Sequence, residues 1–224
     1  MTKLHVFDMD GTLLRGSACM ELCRHVGRLD DVLEIEDAWG RGEVDHVEFY
    51  DVLLGMWHDL DDEAVPAIVC SSPWMDGIKT VCADILARGE HSCVISMSPQ
   101  FFVDHLLGWG FEAGYGANVH PSRPLRSEDV LLPEGKVPLV ESVMEQFALS
   151  ESDVVAYGDS ASDIPLFHRL QHTIAVNGTD RLRAIATASY TGQDLWGAYE
   201  VGRSLLDDGG STSGARRVAD RRVP

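Results

Sequence analysis

The sequence has few basic residues and no long apolar run. Its 224 residues include 18 Lys and Arg against 36 Asp and Glu, giving a formal net charge of −18. Such an excess of acid argues against binding nucleic acid or an anionic membrane surface through a general electrostatic field. No window approaches the roughly 18 apolar residues of a membrane span, and no charged leader precedes an apolar stretch. The sequence therefore predicts a globular protein in the cytoplasm.

The sequence also lacks any CxxC pair and any zinc-finger spacing of Cys and His. Its cysteines are odd in number and scattered, at Cys19, Cys23, Cys70, Cys82 and Cys93. Cys19 and Cys23 lie one helical turn apart, but no second pair of ligands follows, so helix packing is favoured over a metal site. We expect reduced, partly buried thiols without a functional role.

The pattern of apolar residues changes along the chain and predicts two kinds of structure. Residues 1–15 and 72–206 alternate short apolar strands with helices, which favours an α/β core with a doubly wound, mostly parallel sheet. Residues 16–71 show only helical periodicity and predict a small helical cap. Residues 114–134 are rich in Gly, Pro, Ser and Arg and suggest an irregular loop or flap. Residues 207–224 resemble a disordered tail.

Two carboxylates end the first apolar strand. Asp8 and Asp10 follow Leu4 to Phe7, and Gly11 then permits a sharp turn and close approach of a ligand. Burying carboxylates beside an apolar strand is costly unless a metal ion or hydrogen bonds compensate. A strand that ends in an Asp-Gly turn is common, so this segment alone does not distinguish a catalytic site from an ordinary turn. If it is catalytic, one carboxylate attacks while the other moves protons.

Further polar residues follow later strands in a meaningful order. Ser96 can donate to a phosphoryl oxygen, together with the backbone amides of Met97 and Ser98, and Lys136 supplies a positive charge. Asp159 and Asp163 can complete an oxygen cage for Mg²⁺ with Asp8. Each of these residues is also a common helix cap, surface base or turn residue when taken singly. Together they suit phosphoryl transfer.

The order of DMDGTL, a strand followed by Ser96, Lys136 and then GDSASD resembles the haloacid dehalogenase superfamily over nearly the whole chain. The helical insertion resembles the small cap of its phosphoserine phosphatase-like branch. This resemblance implies that Asp8 is the nucleophile, Asp10 the general acid and base, and Ser96, Met97 and Lys136 the phosphate-binding residues. It also implies Mg²⁺ held by Asp8, the Asp10 carbonyl and Asp159, with Asp163 supporting the metal shell.

The resemblance implies an Mg²⁺-dependent hydrolysis of a small phosphomonoester through an aspartyl phosphate, with the substrate chosen by the cap. Ser17 stands where phosphoserine phosphatases carry a Glu that binds the substrate ammonium. Because that Glu is missing, phosphoserine phosphatase proper is an alternative and not the main hypothesis. A phosphotransferase or mutase, and a non-catalytic phosphate-binding module, are further alternatives. The oligomeric state is not readable. The candidate specificity residues are Ser17 and three aromatic residues of the cap: Trp39, Tyr50 and Trp57.

Overall fold

The centre of the fold is a six-stranded parallel sheet. The computed structural model describes residues 2–208 of the chain. Its strands are β1 Leu4–Phe7, β2 His91–Pro99, β3 Ala113–Ala117, β4 Val154–Gly158, β5 His172–Val176 and β6 Ala188–Tyr190. Their spatial order is β3-β2-β1-β4-β5-β6, and every neighbouring pair is parallel. The predicted doubly wound α/β fold class is confirmed.

Helices cover both faces of this sheet. The α-helices are α1 Ala18–His25, α2 Leu29–Gly40, α3 His46–Met56, α4 Val65–Ser71, α5 Ile78–Ala87, α6 Gln100–Val103, α7 Lys136–Gln146, α8 Ile164–Arg169, α9 Asp180–Arg183 and α10 Leu195–Asp208. Side chains of β1 alternate between the faces: Leu4 and Val6 join the apolar cluster of α7 and α8, whereas Phe7 joins that of α5 and α10. Both faces of the sheet are therefore buried, as parallel sheets require.

Residues 16–71, which the sequence predicts to form a cap and which we call the cap segment, contain α1–α4. Successive helices pack on one another, α1 against α2 and α2 against α3, and α1 also contacts β2 of the sheet. A capping box at Asp45 starts α3: its carboxylate accepts from the Val47 and Glu48 amides, and the Glu48 side chain accepts from the Asp45 amide. The contact between α1 and β2 brings the cap segment to the edge of the sheet where Asp8 lies.

Residues 114–134 are more regular at their start than the composition suggests, because β3 covers Ala113–Ala117. The glycines of this strand permit close packing rather than a loose loop. A Cβ at Gly116 would lie 2.7 Å from the Ser98 carbonyl oxygen, and one at Gly114 would lie 2.8 Å from Cγ1 of Val103. The expectation of an irregular segment throughout was therefore wrong for its first four residues.

At the C-terminal end of the described chain, α10 continues to Asp208, two residues into the segment expected to be disordered. The rest of that predicted tail, residues 209–224, lies outside the described residues. No helix within residues 2–208 combines the length and the apolar character needed to cross a membrane.

Candidate active site

The candidate site lies where the winding of the sheet reverses. β1 is flanked by β2 on one side and β4 on the other, so the connections leave in opposite directions and open a crevice beyond the carboxyl ends of the strands. Asp8 directly follows β1, and Asp159 directly follows β4. The amide of Asp8 donates to the carbonyl oxygen of Tyr157 at 2.9 Å, which fixes the two strand ends side by side.

Lys136 binds two carboxylates behind this crevice. It is the first residue of α7 and is 1% exposed, and its Nζ donates to Oδ1 of Asp8 and to Oδ1 of Asp163, both at 2.7 Å. Burial lowers the pKa of Lys136, but the charges of Asp163 and Asp8 outweigh it, and the net pKa is raised. The lysine therefore stays protonated and offsets part of the negative charge around Asp8.

A single lysine does not neutralise the whole acidic cluster. Asp8, Asp159 and Asp163 each place one carboxylate oxygen within 4.8 Å of the others. Burial, followed by repulsion from Asp163, raises the pKa of Asp8 well above its usual value and that of Asp159 to about 7. Oδ1 of Asp159 is buried and has no hydrogen-bond partner among residues 2–208. An orphaned buried carboxylate oxygen in an all-oxygen cluster fits a hard divalent cation.

Because Gly11 has no side chain, the acidic cluster has room beside it. Its φ of +75° is a left-handed conformation, and a Cβ there would lie 2.1 Å from Oδ2 of Asp159. Any side chain at position 11 would therefore push Asp159 out of the cluster. The sequence motif DMDG needs its glycine for this reason.

Asp10 is held apart from the ion pairs of Lys136. Its Oδ1 accepts from the amide of Ala18 at 2.9 Å, at the start of α1, and its Oδ2 accepts from the hydroxyl of Ser98. Burial raises the pKa of Asp10 to about 6, although both hydrogen bonds act to lower it. A carboxyl group with this pKa can give and take a proton near neutral pH.

The last residues of β2 form the third wall of the crevice. Ser96 is 1% exposed, and its hydroxyl oxygen accepts from the Ser98 amide at 3.1 Å. Pairing of β2 with β3 is irregular between Ile95 and Pro99, which frees this stretch from the regular ladder. The carbonyl oxygen of Met97 accepts from the hydroxyl of Tyr50, on α3, so this wall also contacts the cap segment.

These residues open into one cavity of about 410 Å³ between the cap segment and the sheet. We call Asp8, Asp10, Lys136, Asp159 and Asp163 the phosphate end of the site, after the phosphoryl transfer that the sequence motifs predict for them. The opposite wall, which we call the cap end, consists of residues from α2 and α3: Glu36, Trp39, His46, Phe49 and Tyr50.

Aromatic rings and one carboxylate dominate the cap end. The ring of Trp39 lies 5.3 Å from that of His46 and 5.8 Å from that of Phe49, and Phe49 lies 5.7 Å from Tyr50. Oε1 of Glu36 accepts from the hydroxyl of Ser17 at 2.6 Å. Burial raises the pKa of Glu36 and lowers that of His46.

The structure places most of the residues singled out in the sequence around this one cavity. Those that line it are Asp8, Asp10, Ser17, Trp39, Tyr50, Ser96, Met97 and Asp159. Lys136 and Asp163 lie directly behind the wall. Trp57, grouped with the other cap aromatics in the sequence, does not line the cavity: it is fully buried, and its Nε1 donates to Sγ of Cys23 at 3.2 Å. Its helical spacing reflects core packing.

Sequence reasoning missed Glu36, His46, Phe49 and the side chain of Ser98. Glu36 precedes Trp39 by three residues, so a helical projection puts the two on one face of α2, and this spacing is the signal that was available. Ser98 was expected to contribute only its backbone amide. Nothing in the sequence indicates that its hydroxyl reaches Asp10, 88 residues away.

A family model of haloacid dehalogenase-like hydrolases matches residues 5–168, which carry every residue of the phosphate end. The chain belongs to this family. The resemblance seen in the sequence motifs is thereby confirmed, and the acidic cluster lies where both ends of the matched region meet.

Curated relatives of this family member include two phosphoserine phosphatases. That of Archaeoglobus fulgidus is 26% identical over 205 residues, covering 89% of this chain and 59% of the relative. That of Mycobacterium tuberculosis is 25% identical over 194 residues, covering 84% of this chain and 47% of the relative. The chain thus spans about half of the length of these relatives.

Solved structures show the same fold in this family. A phospho-aspartyl intermediate analogue of phosphoserine phosphatase superposes with a TM-score of 0.75 at 20% sequence identity, covering 89% of this chain and 98% of that one. The likeness shows that the two proteins share their fold.

Proposed function

We propose that the protein is an Mg²⁺-dependent phosphatase that hydrolyses a small phosphomonoester through an aspartyl phosphate. The observation that carries this proposal is the convergence of Asp8, Lys136 and the orphaned oxygen of Asp159 at one strand edge, with Asp10 on the same cavity wall. Membership of a hydrolase family and the phosphoserine phosphatase relatives support it.

Asp8 acts as the nucleophile in this proposal. Its carboxylate attacks phosphorus, the bond to the alcohol oxygen breaks, and the phosphoryl group is transferred to Asp8. Lys136, 2.7 Å from Oδ1 of Asp8, offsets the repulsion between this carboxylate and the incoming phosphate dianion. Ser96 and the backbone near Met97 lie on the neighbouring wall, where hydroxyl and amide donors can hold phosphoryl oxygens.

Asp10 moves the proton in both halves of the reaction. In its acid form it protonates the leaving alkoxide, and as the resulting carboxylate it takes a proton from the water that attacks the aspartyl phosphate. Release of phosphate restores Asp8. A pKa of about 6 places Asp10 in the range where both roles are accessible.

The acidic cluster fits Mg²⁺. Asp8 and Asp159 would hold it, with the carbonyl oxygen of Asp10 and support from Asp163, since carboxylate and carbonyl oxygens are its preferred ligands. When bound, Mg²⁺ neutralises negative charge on the phosphoryl oxygens and on the cluster.

Phosphoserine is the second candidate substrate, because both curated relatives described above are phosphoserine phosphatases. Against it, the cavity lining contains no Lys or Arg among residues 2–208 to pair with the substrate carboxylate. Transfer of the phosphoryl group to a second metabolite would use the same aspartyl phosphate. Release of free phosphate distinguishes hydrolysis from such a transfer.

The proposal is tested by phosphate release from a panel of small phosphomonoesters with and without Mg²⁺, with Asp8→Asn as the blank. We expect Mg²⁺-dependent release by the native protein and none by the variant. Disappearance of ester without free phosphate would instead indicate transfer to another acceptor. Failure to convert any ester, with the fold intact by circular dichroism, would overturn the proposal.

A cytoplasmic location and a small-molecule partner belong to the same proposal. All five cysteines are free thiols, as is typical of proteins in reducing compartments. A cavity of about 410 Å³ has the size of a small-molecule site, for which about 300–1,000 Å³ is usual.

A further inference from the structure

Phosphate binding does not account for the residues at the cap end of the cavity. Cationic side chains are missing from the cavity lining within residues 2–208, and the single charged residue that α2 and α3 contribute is Glu36. Its Oε1 accepts from Ser17, and the described residues offer no hydrogen-bond partner to its Oε2. A carboxylate oxygen is thus free for a ligand group opposite the phosphate.

Aromatic residues of α2 and α3 line the same cavity wall as this carboxylate. Trp39 follows Glu36 by one helical turn on α2, and its ring contacts the rings of His46 and Phe49 on α3. Nε2 of His46 is buried and lacks a hydrogen-bond partner among residues 2–208. Aromatic faces beside a carboxylate attract an organic cation, both through the ring quadrupole and through the opposite charge.

The same wall disfavours a substrate carboxylate. A carboxylate at the cap end would face Glu36 without a lysine or arginine to compensate, and like charges facing each other across a site reject a ligand. An uncharged sugar would find few partners for its several hydroxyl groups beyond Oε2 of Glu36 and Nε2 of His46, since most of the lining at this end is aromatic or apolar.

We infer that Glu36, with the rings of Trp39 and Phe49, selects phosphomonoesters of amino alcohols: substrates that carry a cationic nitrogen and no carboxylate. This inference rests on the proposed phosphatase function and deepens it. The phosphate end holds the phosphate and Glu36 holds the cation, and these two contacts orient the ester in the cavity.

The test uses pairs of esters that differ only in charge. Phosphocholine is compared with 3,3-dimethylbutyl phosphate, its uncharged isostere, and phosphoethanolamine with propyl phosphate, and phosphoserine is added as the carboxylate-bearing ester. Initial rates of phosphate release with Mg²⁺ give kcat/KM for each. We expect a preference of about tenfold or more for the cationic member of at least one pair, as for a partly desolvated cation on an aromatic face.

Two variants assign the preference to its residue. Glu36→Gln keeps an acceptor for Ser17 but removes the charge, and we expect the ratio of cationic to neutral ester to fall severalfold, with the remainder due to the rings of Trp39 and Phe49. Glu34→Gln removes the same charge from an exposed position of the same helix and should keep the native ratio.

The outcomes separate this inference from the proposed function. Release from neutral and cationic esters at equal rates, preference for phosphoserine, or an unchanged ratio in Glu36→Gln would overturn the inference and leave the phosphatase in place. No release from any ester, p-nitrophenyl phosphate included, would overturn both.

Discussion

The two ends of the cavity are built by different means. At the phosphate end, Asp8, Lys136 and Asp163 are almost fully buried and joined by ion pairs: Lys136 is 1% exposed and Asp163 1%. At the cap end, ring contacts predominate, and Glu36 and Trp39 are only half-buried on helices outside the sheet. In the proposed function, chemistry and selection are thus divided: strand ends fix the reacting groups, and helix faces surround the rest of the substrate.

The largest expected effect comes from removing the nucleophile at the phosphate end. Asp8→Asn should lower kcat by at least about a thousandfold for every ester, since no other group can replace the attacking carboxylate. Steady-state phosphate release measures this loss. Asp51→Asn, the same change at an exposed position of α3, is the matched control and should keep native kcat. Substantial turnover by Asp8→Asn would break the assignment of chemistry to this end.

Metal removal should weaken the phosphate end in a pH-dependent way. The raised pKa values of Asp8 and Asp159 mean that the metal-free folded protein binds more protons than the unfolded chain between about pH 4 and 7. The stability contributed by these groups is therefore present at low pH and falls as the pH rises through about 7. Mg²⁺ reverses this, because it binds the deprotonated cluster.

Thermal unfolding measures this effect. With Mg²⁺ at about 100 times its Kd, the gain is about 2.7 kcal/mol, or about 5–10 °C in Tm for a chain of this size. We expect the full gain at pH 8 and a smaller one at pH 6, where Asp159 is mostly protonated. Asp159→Asn should lose most of it. Equal gains at the two pH values would contradict the assignment of the metal to this cluster.

A smaller effect is expected where the phosphate end meets the wall of β2. Ser98→Ala removes one of the two hydrogen bonds that lower the pKa of Asp10, so this pKa should rise above about 6 by about one unit. The limb of the kcat profile that reports Asp10 should move to higher pH by the same amount, with little change at the optimum. A pH–rate profile checks this. An unmoved limb would show that Asp10 does not control it.

The smallest effect is expected from the contact that joins the two ends. Tyr50→Phe removes the hydrogen bond to the Met97 carbonyl, which holds α3 against β2. We expect a two- to tenfold rise in KM for small esters, corresponding to about 0.5–1.5 kcal/mol for one hydrogen bond. Tyr115→Phe, on β3 outside this cavity, is the control. A loss confined to kcat would argue against a role in holding the cap segment.

The phosphate end could be predicted from the sequence because its signals are local. Asp8 and Asp159 each follow a short apolar strand and precede a glycine or serine turn, and the carboxyl ends of parallel strands meet at one edge.

The cap end could not be predicted in the same way, because its contacts join separate helices. Aromatic residues at helical spacing occur both in cores and in cavities, and only packing separates Trp39, which lines the cavity, from Trp57, which is buried in the core. The sequence analysis likewise missed β3. Its glycines, Gly114 and Gly116, are required by close packing, but in a single sequence glycines indicate a loop.

The start of α1 limits how this site can be redesigned. Ser17 and Ala18 are adjacent, and one holds Glu36 while the other holds Asp10. An exchange at position 17 that alters substrate range should thus also disturb Asp10, to which we assign the proton transfer, so that substrate range and turnover change together. Positions 39 and 49 lie away from this helix start, so a library aimed at new substrates with undiminished turnover is best confined to them.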